Sequence, residues 1–150
     1  MEDFEQIKAY NKELCAKYPW LVPRSAWTDE VIEDYDYEIT ELDFMPDGWR
    51  KAFGERMCAE LQALLEEANY VDEYRIVQIK EKYGTLRWYD NGVPSSISGR
   101  FHAVIRHYEE LSAHICISCG KSAKWITTDW ISPYCDECAS KISSEKKRIL

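Results

Sequence analysis

Cys116, Cys119, Cys135 and Cys138 are spaced C-x2-C-x15-C-x2-C. At this spacing two tight turns, or knuckles, each bring two thiolates to a single tetrahedral metal ion about 2.3 Å away. Gly120 follows Cys119, and a residue without Cβ relieves crowding where the first knuckle turns. Zinc is the expected metal. Four protein ligands leave it no open position, so the expected role is to hold shape and not to activate water. Iron accepts the same four thiolates, and two disulfides are the competing use of these residues. The other two cysteines, Cys15 and Cys58, fall in predicted helices among apolar residues and are expected in the core.

A second group of residues asks for an anion. Residues 74–90 read YRIVQIKEKYGTLRWYD, a β-hairpin turning at Tyr83-Gly84. A two-residue loop places Ile79 opposite Trp88 and Lys80 opposite Arg87. One face then holds Val77, Ile79, Leu86 and Trp88, and the other holds Lys80, Lys82, Arg87 and Tyr89 together with Gln78 and Thr85. Opposed cations are unfavourable unless something negative covers them. The expected cover is the protein's own acidic segment; a phosphate, nucleotide or nucleic acid is the alternative.

That acidic segment runs from Asp29 to Asp47 without a Lys or Arg. It belongs to a charge division beneath the net charge of −8: residues 1–73 carry 19 acids against 7 bases, and residues 74–150 carry 8 against 12. The halves should attract each other. Tyr35, Asp36, Tyr37, Glu38, Glu41 and Asp43 mix acid with aromatic rings. They are the expected partner-binding residues, because acid can imitate the charge spacing of nucleic acid while rings supply buried anchors.

The elements that must position these groups follow from periodicity. Phe4, Ile7, Asn11, Leu14, Cys15 and Tyr18 define a helix over residues 2–17, stopped by Pro19. Residues 20–24 read as extended, and 35–39 as a short strand or arm half-buried on its aromatic side. Asp47 is the expected N-cap of a main helix over 49–68, whose broad stripe of Trp49, Ala52, Phe53, Met57, Leu61, Leu64, Leu65 and Ala68 is core. Ser98 is expected to cap a helix over 99–114. Residues 124–128 and 130–132 should form a short hairpin, with a terminal helix starting at Ala139 and running towards Ile149. The fold class is therefore α+β: a helix and hairpin domain over 1–114 and, over 115–150, a treble-clef zinc module related to the zinc ribbon.

The runs 41–58 (ELDFMPDGWRKAFGERMC), 75–92 (RIVQIKEKYGTLRWYDNG) and 108–138 (YEELSAHICISCGKSAKWITTDWISPYCDEC) resemble a family of uncharacterised phage and prophage proteins. The family pattern is KEK-[FWY]-G-x-LR-[FW]-Y followed by a helix and paired cysteines. The resemblance covers residues 20–138 and implies a viral or mobile-element origin, with no activity attached.

Several enzyme classes fall away. An HNH nuclease on a treble clef needs histidines in its ββα unit, and no histidine follows His114. His102, His107 and His114 are expected as polar surface residues. A RING-type ligase needs two metal ions and about eight ligands. There is no G-x-S-x-G, P-loop or G-x-G-x-x-G run. A Mg- or Ca-dependent enzyme built on the 29–47 carboxylates is the remaining enzymatic alternative, and no enzyme is expected. The chain begins Met1-Glu2-Asp3, acidic where a secretory leader is positive, and has no apolar run of about 20 residues. The expected location is the host cytoplasm, away from membranes, where thiols stay reduced. The expected function is non-enzymatic binding of a host protein, a defence component among the candidates. Binding of nucleic acid or a signalling nucleotide through the hairpin is the alternative. Overall acidity opposes tight non-specific DNA binding. The partner's identity and the oligomeric state are left open.

Overall fold

The computed structural model describes residues 3–25 and 27–149 of the chain, and its architecture is mixed helix and sheet. Helix α1 (Phe4–Lys17) opens on Asp3, whose carboxylate accepts from the Glu5 N–H. It buries Asn11, Leu14 and Cys15, while Phe4 lies exposed; the expected start at residue 2 lies outside the described residues. Pro19 ends it, but residues 19–21 form a 3-10 turn in place of extended chain. That turn points the Trp20 and Leu21 side chains into the core.

Residues 35–39 form no strand. Asp34 and Tyr37 adopt positive φ, at 59° and 66°, which breaks the alternation of a pleated segment. The chain then makes a 3-10 turn, Glu41–Phe44, held by a capping box between Thr40 and Asp43. The main helix is continuous but composite: α2 (Asp47–Trp49), a π turn (Arg50–Gly54), then α3 (Glu55–Glu67). Pro46 is its N-cap and Asp47 its first helical residue, so Asp47 does not cap as expected; proline fixes φ and suits a helix entry. Of the stripe, Trp49, Phe53, Met57, Leu61 and Leu65 are buried, while Ala52, Leu64 and Ala68 are half-buried against the core.

Strands β1 (Ile76–Lys82) and β2 (Thr85–Asp90) make the hairpin with the expected register, Ile79 opposite Trp88 and Lys80 opposite Arg87. Tyr83 and Gly84 both have positive φ, 54° and 82°, as a two-residue turn matched to strand twist demands. A bulge between Ile76 and Gln78 corrects one assignment. Val77 is turned out of the apolar face and is 67% exposed.

Helix α4 (Ser95–Ser112) starts a turn earlier than expected, with Pro94 as N-cap and Ser98 inside it. It buries Ile97, Phe101, Ile105 and Tyr108 against α3 and β2. An aromatic knot joins these layers. Trp20 meets Tyr74 edge-on at 5.5 Å, and Tyr74 meets Phe101 at 5.2 Å. The Tyr74 hydroxyl, fully buried, donates to Asp90 and accepts from Trp88 Nε1, so its burial costs no orphan polar group.

The C-terminal module carries a second sheet in the order β4-β3-β5. Strand β3 (Trp125–Thr127) pairs with β4 (Pro133–Tyr134), three residues beyond the expected 130–132. Helix α5 (Asp136–Ser140) is one turn long. The expected terminal helix gives way to β5 (Lys146–Arg148), which pairs Lys147 with Ile126. The open edge of β3 supplied partners that a solvated helix end could not. No described helix is long and apolar enough to cross a membrane.

Candidate functional site

The four cysteines converge. Their sulfur atoms all lie within 4.8 Å of one another, and Cys119 Sγ and Cys135 Sγ are 3.5 Å apart. Four thiolates at 2.3 Å from a tetrahedral metal stand about 3.8 Å apart, so the cluster fits one metal ion. None of the cysteines is in a disulfide. Cys116 and Cys135 are buried.

Backbone geometry builds the donor set. The Gly120 N–H donates to the Cys116 carbonyl, closing the first knuckle. Cys135 caps α5, its sulfur accepting from Cys138 N at 3.4 Å. Burial raises the Cys116 thiol, but N–H groups of Cys135, Cys119 and Ser118 outweigh it and bring that thiol down to about 7. Burial and the three neighbouring sulfurs push Cys138 up to about 12. One thiol thus ionises readily while another is held protonated by its neighbours until a cation balances the charge.

The module is locked to the body by backbone contact. Gly48 N donates to Ile117 O at 2.9 Å, and Trp49 Nε1 donates to Ile115 O at 3.0 Å. A Cβ on Gly48 would sit 2.1 Å from the Cys116 carbonyl oxygen, and one on Gly120 2.8 Å from the Gly48 carbonyl oxygen. Two glycines therefore permit a seam that no side chain could enter. The π turn lies on this seam, since Ala52 faces Gly120, and Ile115 and Ile117 pack on the main core.

The six expected partner-binding residues do not form one free surface. Tyr35 and Tyr37 are half-buried with ring centroids 4.8 Å apart. Tyr35 donates to Ile39 O, and Asn11 of α1 donates to Tyr37 O. Lys8 lies 3.4 Å from Asp36 and 4.0 Å from Glu38. Asp43 accepts from Thr40 N and pairs with Arg50. Glu41 is half-buried, and burial pushes its carboxyl up to about 7. The arm folds onto α1 and the π turn and packs its Glu41–Phe44 turn on β1, but it places no carboxylate in ion-pair range of Lys80, Lys82 or Arg87, so it does not cover those cations as expected.

The hairpin cations keep their shared face, but none of Lys80, Lys82 and Arg87 has an ion-pair partner among the described residues. Glu109 of α4 accepts from Trp88 N on the neighbouring strand position. Lys80 and Lys82 line a cleft of about 510 Å³ with Tyr83, Trp130 and Ile131 and with two acids, Glu81 and Asp129; Arg87 and Tyr89 do not reach it. Tyr83 and Trp130 are 71% and 75% exposed. Among the described residues the four cysteines are the only group with metal-site geometry. His102, His107 and His114 are exposed.

Sequence reasoning missed the preceding loop. Trp27 is 95% exposed, with Val31 and Ile32 also exposed, beside Asp29, Glu30, Glu33 and Asp34. An antiparallel bridge between Arg24 and Val31 closes the loop at its base. The available signal was a set of apolar residues among acids with neither helical nor strand period. Compared with family models, curated proteins and solved structures, the chain matches none.

Proposed function

We propose that the chain is a zinc-stabilised, phage-encoded binding protein without catalytic activity, working in the host cytoplasm, whose 27–34 loop docks on a basic surface of a host protein. The carrying observation is Trp27, 95% exposed, in a 27–34 stretch that also exposes Val31 and Ile32 and whose own charged residues are all acidic. Exposed tryptophan flanked by apolar residues is the composition of an interface anchor, and the acids steer a basic partner. Four thiolate ligands suit zinc and leave it coordinatively closed. The module reads as a shortened treble clef, in which knuckle, hairpin and second knuckle lead into a helix of one turn.

A second reading is favoured by the cleft between hairpin and module. Two exposed rings, Tyr83 and Trp130, flank Lys80 and Lys82, the chemistry of a short single-stranded nucleic acid site. Affinity capture from host lysate, with proteins and nucleic acids both analysed, separates the readings. The first expects one stoichiometric host protein, lost with Trp27→Ala and retained with Lys80→Glu. Co-purifying oligonucleotide, lost with Trp130→Ala and retained with Trp27→Ala, would replace it with the second.

A further inference from the structure

Between the 24–31 loop and the open end of the β1–β2 hairpin lies a cavity of about 350 Å³, at the small end of the range for metabolite sites. Neither the metal centre nor the exposed apolar residues of the 27–34 loop account for it.

Arg75 forms one wall. Its backbone N–H donates to Asn91 Oδ1 at 2.9 Å and its Nη1 to the Tyr74 carbonyl at 2.7 Å, which fixes the side chain. The Nε–H is buried and has no hydrogen-bond partner among the described residues. An Asp29 carboxylate oxygen stands 3.9 Å away, within ion-pair range but too far to accept a hydrogen bond. A buried guanidinium donor left unpaired is costly, and it calls for a partner such as water, an ion or a ligand. Arg24 lines the same cavity with only Nη1 engaged, on the Asp29 carbonyl.

Glu41 contributes a carboxyl to the cavity and makes no hydrogen bond or ion pair among the described residues. Burial raises its carboxyl. The β-bulge turns Val77 out to line the same space, and bulges that re-aim a side chain gather beside binding sites. An anion alone would satisfy the arginines and be repelled by Glu41. A cation alone would do the reverse.

We propose that this cavity binds a metabolite-sized compound carrying an anionic oxygen group and an N–H donor. The oxygens accept from the Arg75 and Arg24 guanidinium groups, and the Glu41 carboxyl accepts from the N–H. Planar guanidinium groups match carboxylate and phosphate oxygens alike. Amino acids and mononucleotides both present this two-ended chemistry, and the cavity is too small for a polymer of either.

The metal-loaded full chain can be titrated with three probes: inorganic phosphate, an equimolar mixture of the common α-amino acids, and an equimolar mixture of the four ribonucleoside monophosphates. The Arg75 Nε–H resonance and calorimetry are followed together. The expected result is a shift of that resonance with one mixture, which binds at least tenfold more tightly than phosphate; which mixture responds identifies a carboxylate or a phosphate source. Arg75→Lys should weaken binding at least tenfold. Glu41→Gln, which fills the same space, should remove the advantage of the mixture over phosphate. An Arg75 resonance unmoved by either mixture at millimolar concentration overturns the proposal. Binding retained in both variants also overturns it, by placing the ligand elsewhere.

Discussion

The first knuckle and the 27–34 loop are both short, irregular and rich in chemistry, yet they are treated oppositely. Around the knuckle, backbone touches backbone: Gly48 donates to Ile117, Trp49 reaches Ile115, and a methyl group on Gly48 or Gly120 has no space. In the loop, Trp27, Val31 and Ile32 are left uncovered, and the N–H groups of Trp27 and Thr28 are answered only by the Ser25 hydroxyl. Rigidity is concentrated where a metal can supply folding energy. Apolar surface is left unspent where a partner can cover it.

The largest expected break of this contrast is Cys116→Ser. It removes one of four ligands and exposes the seam that Ile115 and Ile117 share with the core. A loss on the order of 4 kcal/mol, roughly 10 °C in melting temperature for a chain of this size, is expected. Calorimetry alongside metal content checks it; a variant that kept both its metal and its Tm would remove the metal centre from the account.

Gly48→Ala sharpens the comparison by separating docking from ligation. Its Cβ overlaps the Cys116 carbonyl, so stability should fall by about 3 kcal/mol while one metal per chain is retained. Loss of metal together with stability would show that ligation requires the docked seam.

Glu41 provides a smaller effect with a definite sign. Its carboxyl is raised by burial from 4.5 to about 7 on folding. The folded chain therefore binds more protons than the unfolded chain between those values, and stability falls as pH rises from 4.5 to about 7. The effect should be about 1 kcal/mol once solvent contact is allowed for. Denaturant midpoints measured across that window should lose this slope in Glu41→Gln.

The smallest effect on stability is expected at the loop. Trp27→Ala touches a side chain that is 95% exposed and should change stability by less than about 0.5 kcal/mol while abolishing partner capture. A large fall in Tm would mean the ring is packed and not offered to a partner.

What could be read from the sequence divides along the same line. The cysteine spacing, the apolar stripe of the main helix and the Lys80–Arg87 register rest on local geometry: a knuckle, a 3.6-residue period and a two-residue turn. Each carries its own signature in the chain. The bulge at Val77 has none, because an extra backbone residue need not alter side-chain pattern. Residues 146–148 looked like a helix end because Lys-Lys-Arg suits one. They became a strand because the edge of β3 lay within reach, and no local pattern records that. The acids of 35–43 were visible, whereas their partners Lys8 and Arg50 are set by how α1 and the π turn pack.

Amide hydrogen exchange on the metal-loaded and chelated chain tests the central contrast most directly. The account predicts that Gly48, Cys116, Ile117 and Gly120, whose N–H groups are all bonded at or near the seam, are protected with metal and lose protection together without it. Trp27 and Thr28 should exchange rapidly in both states. Unchanged protection at Gly48 and Ile117 after metal removal would contradict the claim that the metal centre holds the module to the body.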